Sequence, residues 1–143
     1  MIRFRLAKIN VEQFAILADK VPAEGLVYSV SAAFKAARNA HRIACVFSAE
    51  FQQGGKIILK LSINCQFEIH PEDWNERIDN NILRISKTDL GYLGNQTVGV
   101  ARGIMFSKTE GTDFGTLILP PIDLTRLLDE DLVVDFGEIE RNK

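Results

Sequence analysis

Residues 57 to 69 alternate so strictly that little choice of structure is left to them. Ile57, Leu59, Leu61, Ile63, Cys65, Phe67 and Ile69 fall on one side of an extended chain, and Lys60, Ser62, Asn64, Gln66 and Glu68 fall on the other, with Ile58 the one interruption. A period of two marks a half-buried strand, apolar face to the core and polar face to solvent. Two earlier runs share the pattern. Leu26, Tyr28, Val30, Ala32, Phe34 and Ala36 form the first, and Ile43, Cys45, Phe47, Ala49 and Phe51 the second, with residues 38 to 41 as the turn between them. Residues 2 to 9 alternate more weakly through Ile2, Phe4, Leu6 and Lys8, which predicts a fourth strand at a sheet edge.

Gly54 and Gly55 join the last two runs. Opposite residues of a hairpin share a face, so odd apolar positions must pair with odd ones, and a plain two-residue Gly-Gly loop breaks that parity. A three-residue loop of Gln53, Gly54 and Gly55 restores it and sets Phe51 opposite Ile57 and Cys45 opposite Ile63. The alternative loop, Gly54 to Lys56, sets Cys45 opposite Cys65.

Beyond Ile69 the character changes. HPEDWNERID reads as a short helix with Pro71 in its first turn and Glu72 and Asp73 at its positive end, where acids act as caps rather than as catalysts. Residues 95 to 110 are ambiguous: Val98, Val100, Ile104 and Phe106 suit a strand, whereas Asn95 as N-cap, Lys108 and Gly111 suit a helix. In a helix, Gly99 and Gly103 would each cost about 1 kcal/mol against alanine, and close approach of another backbone is the natural reason to carry them. LILPPID is extended, a short helix capped by Asp123 runs to Leu128, and the acidic tail carries an apolar island of Leu132, Val133, Val134 and Phe136.

A chain of 143 residues, 46% apolar and with net charge -2, describes a single domain over residues 1–143 with a core of its own and no broad positive field for nucleic acid or anionic lipid. The first residues carry no apolar stretch long enough for a signal peptide or membrane span, which predicts a cytoplasmic protein without membrane insertion. Candidate chemistry is sparse. His41 and His70 are separated by two strands, and Cys45 and Cys65 both lie on the apolar face, so no metal, cofactor or catalytic residue is expected and the chain reads as a non-enzyme.

Size then argues for an unfilled face. A strand of about 14 residues extends ~46 Å, while a sphere for this chain length is only ~37 Å across. Four such strands make a face of roughly 900 Å², of which a helix of about 13 residues covers about 200 Å². Patches left over on that scale mark interfaces or binding grooves.

The order of elements, and the run TVGVARGIMFSKTEGTDFGTLILPPIDLTRLL over residues 97 to 128, resemble the SecB family of export chaperones. The points of resemblance are Ala101 and Arg102 on a helix, the GTDF of residues 111 to 114, and the segment Leu119 through Leu124. The resemblance implies an α+β fold: a four-stranded antiparallel sheet with one long helix and a short C-terminal helix packed on one face. It decides for a helix over residues 95 to 110. It implies a homo-oligomer, dimer or tetramer, acting as an ATP-independent holdase for unfolded or extended polypeptides. The implied client-binding residues are Tyr28, Val30, Phe67 and Ile69 on the sheet and Trp74, Ile82, Leu83, Tyr92 and Leu93 in the crossover loop and its flank. Gly99, Arg102, Gly103 and Phe106 form the implied oligomer interface. The chain departs from the strongly acidic family pattern, and its polar strand face mixes Lys35, Lys56 and Lys60 with Glu50 and Glu68, which argues against handover to SecA. A client dedicated to one toxin-antitoxin system fits the fold equally. The alternative is a non-catalytic structural protein whose apolar face serves self-assembly alone.

Overall fold

The two most regular runs take the centre of the main sheet and the weaker ones its edges. In this computed structural model, which describes residues 1–141 with side chains through Glu138, the strand order is β1-β4-β3-β2, all antiparallel. The strands are β1 (Phe4–Ile16), β2 (Leu26–Ala37), β3 (Arg42–Gln53) and β4 (Lys56–Ile69). Central strands bury one face along their whole length, which is why β3 and β4 carry the cleanest alternation.

The β3–β4 turn differs from the expected three-residue loop. Gln53 pairs with Lys56 across Gly54 and Gly55, both at positive φ (57° and 82°), a two-residue turn whose twist matches the strands. Parity is restored one step further on: Ile58 is an extra residue in β4, so Gln52 faces Ile57 while Phe51 faces Leu59 and Cys45 faces Cys65. The break in the pattern at Ile58 was the trace of a bulge.

Strand β1 is also longer than expected and twice bulged. Irregularities between Leu6 and Lys8 and between Val11 and Gln13 each insert a residue, so Ile9, Val11, Phe14 and Ile16 return to the apolar side and Lys8 pairs with Gln66 on the polar side. Simple alternation could not be followed through two such insertions.

Helix α1 (Pro71–Arg77) forms as expected, with the His70 Nδ1 accepting from the Glu72 backbone N–H. The crossover that follows is not a loop. Strands β5 (Ile78–Asp79) and β6 (Ile82–Ile85) form a tight hairpin on Asn80 and Asn81, both at positive φ. Asparagine tolerates that region better than other side chains, because its short amide can bond locally.

Helix α2 (Lys87–Thr109) is capped nine residues before the expected Asn95, at Ser86, whose hydroxyl accepts from the Asp89 backbone N–H. Its 23 residues span about 35 Å, longer than the 95 to 110 expected, and it packs across β3 and β4. The core lies between them, with Ile43, Phe47, Leu61, Ile63, Leu93, Ala101 and Met105 excluded from solvent. After a 3-10 turn at Asp113–Thr116, α3 (Leu124–Leu127) follows its Asp123 cap. Strand β7 (Leu132–Asp135) then pairs with β6 to complete a second small sheet, and α4 (Phe136–Arg141) ends the described chain.

Candidate functional site

Helix α2 divides the apolar face of the sheet into two flanks. On the β2 flank two glycines let α3 come close: a Cβ at Gly91 would lie 2.6 Å from the Thr125 Cα, and one at Gly94 would lie 2.5 Å from the Leu124 Cδ1. Asn95, freed from the capping role, accepts from the Leu124 N–H at 2.8 Å and donates to Asp123 at 3.1 Å. Arg102 turns along the same side and donates to the Leu119 and Pro120 carbonyls at 2.7 and 2.8 Å. Residues 119 to 125 are thereby held beside the helix. The chain continues into an open groove of about 410 Å³ on the β2 edge, floored by Phe34, Leu90, Leu128 and Leu132 and rimmed by Asp129, Glu130 and Asp131.

The β1 flank is bare. Leu6, Ile9 and Val11 point to the apolar side yet are 38%, 45% and 42% exposed, and no described element roofs them. On α2, Tyr92, Gln96, Gly99, Gly103 and Phe106 recur at three- and four-residue steps, and all five are exposed. A Cβ at Gly99 or Gly103 would meet nothing within 4 Å among the described residues, so the backbone approach expected there occurs instead at Gly91, with the Leu124 side chain equally close at Gly94. Of the residues assigned to an oligomer interface, Gly99, Gly103 and Phe106 share the outward stripe, while Arg102 is committed to its own chain.

The residues assigned to client binding divide in the same way. Tyr28 is half-exposed, Val30 and Ile82 are partly buried, and Tyr92 lies on the outward stripe of α2. Phe67, Ile69, Trp74, Leu83 and Leu93 are buried in the core of the protomer, Leu93 on α2, Leu83 within the second sheet and Trp74 against Phe136 of α4. Trp74 stacks on His41 (5.0 Å between ring centroids, 18° apart) and more loosely on Phe136 (6.3 Å, 27°), with the Arg38 guanidinium 6.0 Å from the Phe136 ring.

Polar contacts anchor the end of this arrangement. Asp73 accepts from the Arg3 side chain and backbone N–H, and those bonds hold its carboxyl well below the usual carboxylate range. Arg77 bridges the Asp73 carbonyl to Asp89, and Asp89 in turn accepts from the Ile2 N–H. The N-terminus is thus tied to α1 and α2. Burial pushes the Cys45 thiol up to about 12 and raises that of Cys65, so both are poor nucleophiles. Among the described residues no cluster of three or more His, Cys, Asp or Glu side chains could hold a metal ion, and no helix is long and apolar enough to cross a membrane.

Reading the sequence alone missed two features of this surface. Ile9 and Val11 were hidden by the β1 bulges. The alternation of Leu132, Val134 and Phe136 was visible as an apolar island and, with the Asn80-Asn81 pair, could have revealed the second sheet.

No protein-family model matches the chain, and no curated protein matches it in sequence. Its fold is similar to that of the Mycobacterium tuberculosis SecB-like chaperone Rv1957, solved in complex with a ChAD peptide from the Rv1956 HigA1 antitoxin. The match has a TM-score of 0.52 at 12% identity and covers 84% of this chain and 91% of that one. The similarity is one of fold, and the expected α+β architecture with its four-stranded sheet and long helix is the one observed.

Proposed function

We propose that this protein is an ATP-independent holdase that binds unfolded or extended polypeptide segments. The observation that carries this reading is the β2 edge: a strand with one unpaired backbone side runs beside an open groove with an apolar floor. An extended segment laid there gains backbone hydrogen bonds from the strand and side-chain burial from the groove, with no need for a particular sequence. Tyr28 and Val30 lie on the same strand, and the acidic rim favours clients that carry basic residues next to apolar ones. The peptide held by the mycobacterial chaperone of similar fold supports this reading. It also supports a client dedicated to one system, whereas the mixed charges of the polar sheet face argue against a SecA partner.

The bare β1 flank and the outward stripe of α2 favour a second role, self-association into a homo-oligomer through Gly99, Gly103 and Phe106. Three large apolar side chains near 40% exposure on an edge strand are the kind of surface that a second copy covers. In the competing reading self-assembly is the only use of the apolar surface. Aggregation assays separate the two. A holdase keeps a thermally unfolded client soluble at stoichiometric amounts and binds an extended apolar peptide in the assembled state, without nucleotide. Failure with every unfolded client, together with silence toward an apolar dye, would leave assembly as the sole function.

A further inference from the structure

We infer that β7 is a displaceable strand: it occupies, along the edge of β6, the seat of an extended client segment, which enters by peeling it away. This rests on the polypeptide-binding reading and deepens it by naming what guards the site and the pattern a client must carry.

Strand β7 is four residues long and, among the described residues, hydrogen-bonds as a strand to β6 alone. It is laid down as an added strand would be. Leu132 and Val134 turn inward and Phe136 is buried, while Val133 between them is 50% exposed, so alternate side chains enter the apolar seat. Beside them on β6 lie Leu83 and Ile85, the cross-strand partners of Val134 and Leu132, and Trp74 lies against Phe136; each of the three is at most 2% exposed. If β7 left, these three side chains and the whole edge of β6 would be uncovered together.

The attachments of β7 are ones a client could reproduce. Among the described residues they include the ladder to β6, the Phe136 N–H donating to the Asn81 carbonyl at 2.8 Å, the loose stack of Phe136 on Trp74, the Arg38 guanidinium 6.0 Å from the Phe136 ring, and the packing of Leu132 and Val134 on the core. The stretch before it, Asp129 to Asp131, is exposed, and the Asp131 carboxylate accepts from the Lys87 N–H at 2.8 Å. Leu132 also lines the β2 groove, so that groove and the β6 edge are continuous through β7 itself. The occupant is therefore an extended, non-native segment with apolar side chains at three alternate positions, the last aromatic so that it meets Trp74.

Arg84 and Val133 are cross-strand partners with outward, exposed side chains, so Arg84→Cys with Val133→Cys places a tether between β6 and β7 without touching the seat. The tether is closed by oxidation or by a short thiol-bridging reagent; the buried native thiols do not compete. Binding is measured with a labelled peptide of residues 129–138 and with an unfolded client protein. The tethered form should bind both about tenfold or more weakly than the reduced form, and reduction should restore binding. Phe136→Ala, which loosens β7 without removing it, should tighten binding several-fold, the opposite of what loss of a client contact does. Trp74, the only tryptophan, reports the exchange through a shift in its emission on client binding. Equal client binding by tethered and reduced forms would overturn the displaceable strand and leave the holdase standing. Absence of client binding in the unmodified protein would overturn both.

Discussion

The two flanks of α2 face the same sheet, are built from similar alternating strands, and differ in what covers them. On the β2 flank, Gly91 and Gly94 admit α3, Asn95 and Arg102 hold the segment that leads to it, and Phe34 is partly roofed. On the β1 flank the Lys108 ammonium lies 5.4 Å from the Phe14 ring, but Leu6, Ile9 and Val11 remain exposed. Alternation in a strand therefore says which side is apolar, not whether that side is covered. Coverage depends on where a distant segment can dock, and here two missing Cβ atoms decide it.

Breaking the covered flank should have the largest effect. Gly91→Val drives side-chain atoms into the Thr125 backbone, so the α3 segment must detach and the β2 groove loses its wall; the expected outcome is loss of cooperative unfolding, read by calorimetry. A matched pair of truncations sharpens the contrast. Leu61→Ala, in the sealed centre, should cost about 2–5 kcal/mol, whereas Ile9→Ala on the bare flank should cost under about 1 kcal/mol in the dissociated protomer. Denaturant titration at low and high protein concentration tests both, and a concentration-dependent cost at Ile9 would show that a second copy covers it.

Acid should act at the β1 end through the Asp73 anchor. The Asp73 carboxyl titrates below its unfolded value because Arg3 hydrogen-bonds it, so its contribution to stability is complete above the unfolded carboxylate pKa and is lost as pH falls toward the folded value. Asp73→Asn should flatten that acid limb in melts between about pH 5 and 2. An unchanged limb would mean that Arg3 does not hold the carboxylate in solution.

Smaller effects are expected on the outward stripe. Gly99→Ala meets open space and should raise helix stability by about 1 kcal/mol, while Gly103→Leu should leave the protomer folded and lower the oligomeric mass measured by light scattering. An unchanged mass would remove the stripe from the interface. Smallest of all, binding of a basic-flanked peptide should weaken by a few-fold between low and physiological salt because of the acidic rim, and a neutral analogue should not respond.

The four-stranded sheet, the α1 cap and the α3 cap were legible because each rests on local chemistry: alternation, a proline in a first turn, an aspartate before a helix; the C-terminal half of α2 was ambiguous on local chemistry, and the family resemblance decided it. The β1 bulges, the compensated Gly54-Gly55 turn and the second sheet were not. Each combines a local anomaly with a distant partner, and an inserted residue such as Ile58 reads as noise until the opposite strand shows where it goes. The candidate site was legible in part. Tyr28, Val30 and Ile82 retain surface, but apolar residues of the crossover such as Trp74 and Leu83 carry the same sequence signature whether they bind a client or a core.

By itself the sequence determined which side of β2, β3 and β4 is apolar, since that follows from residue type and local spacing. Only the tertiary structure decided which apolar surface stays open, because exposure is a property of pairs of segments far apart in the chain. Two glycines opposite Thr125 and Leu124, and a short strand closing over Trp74, set that division.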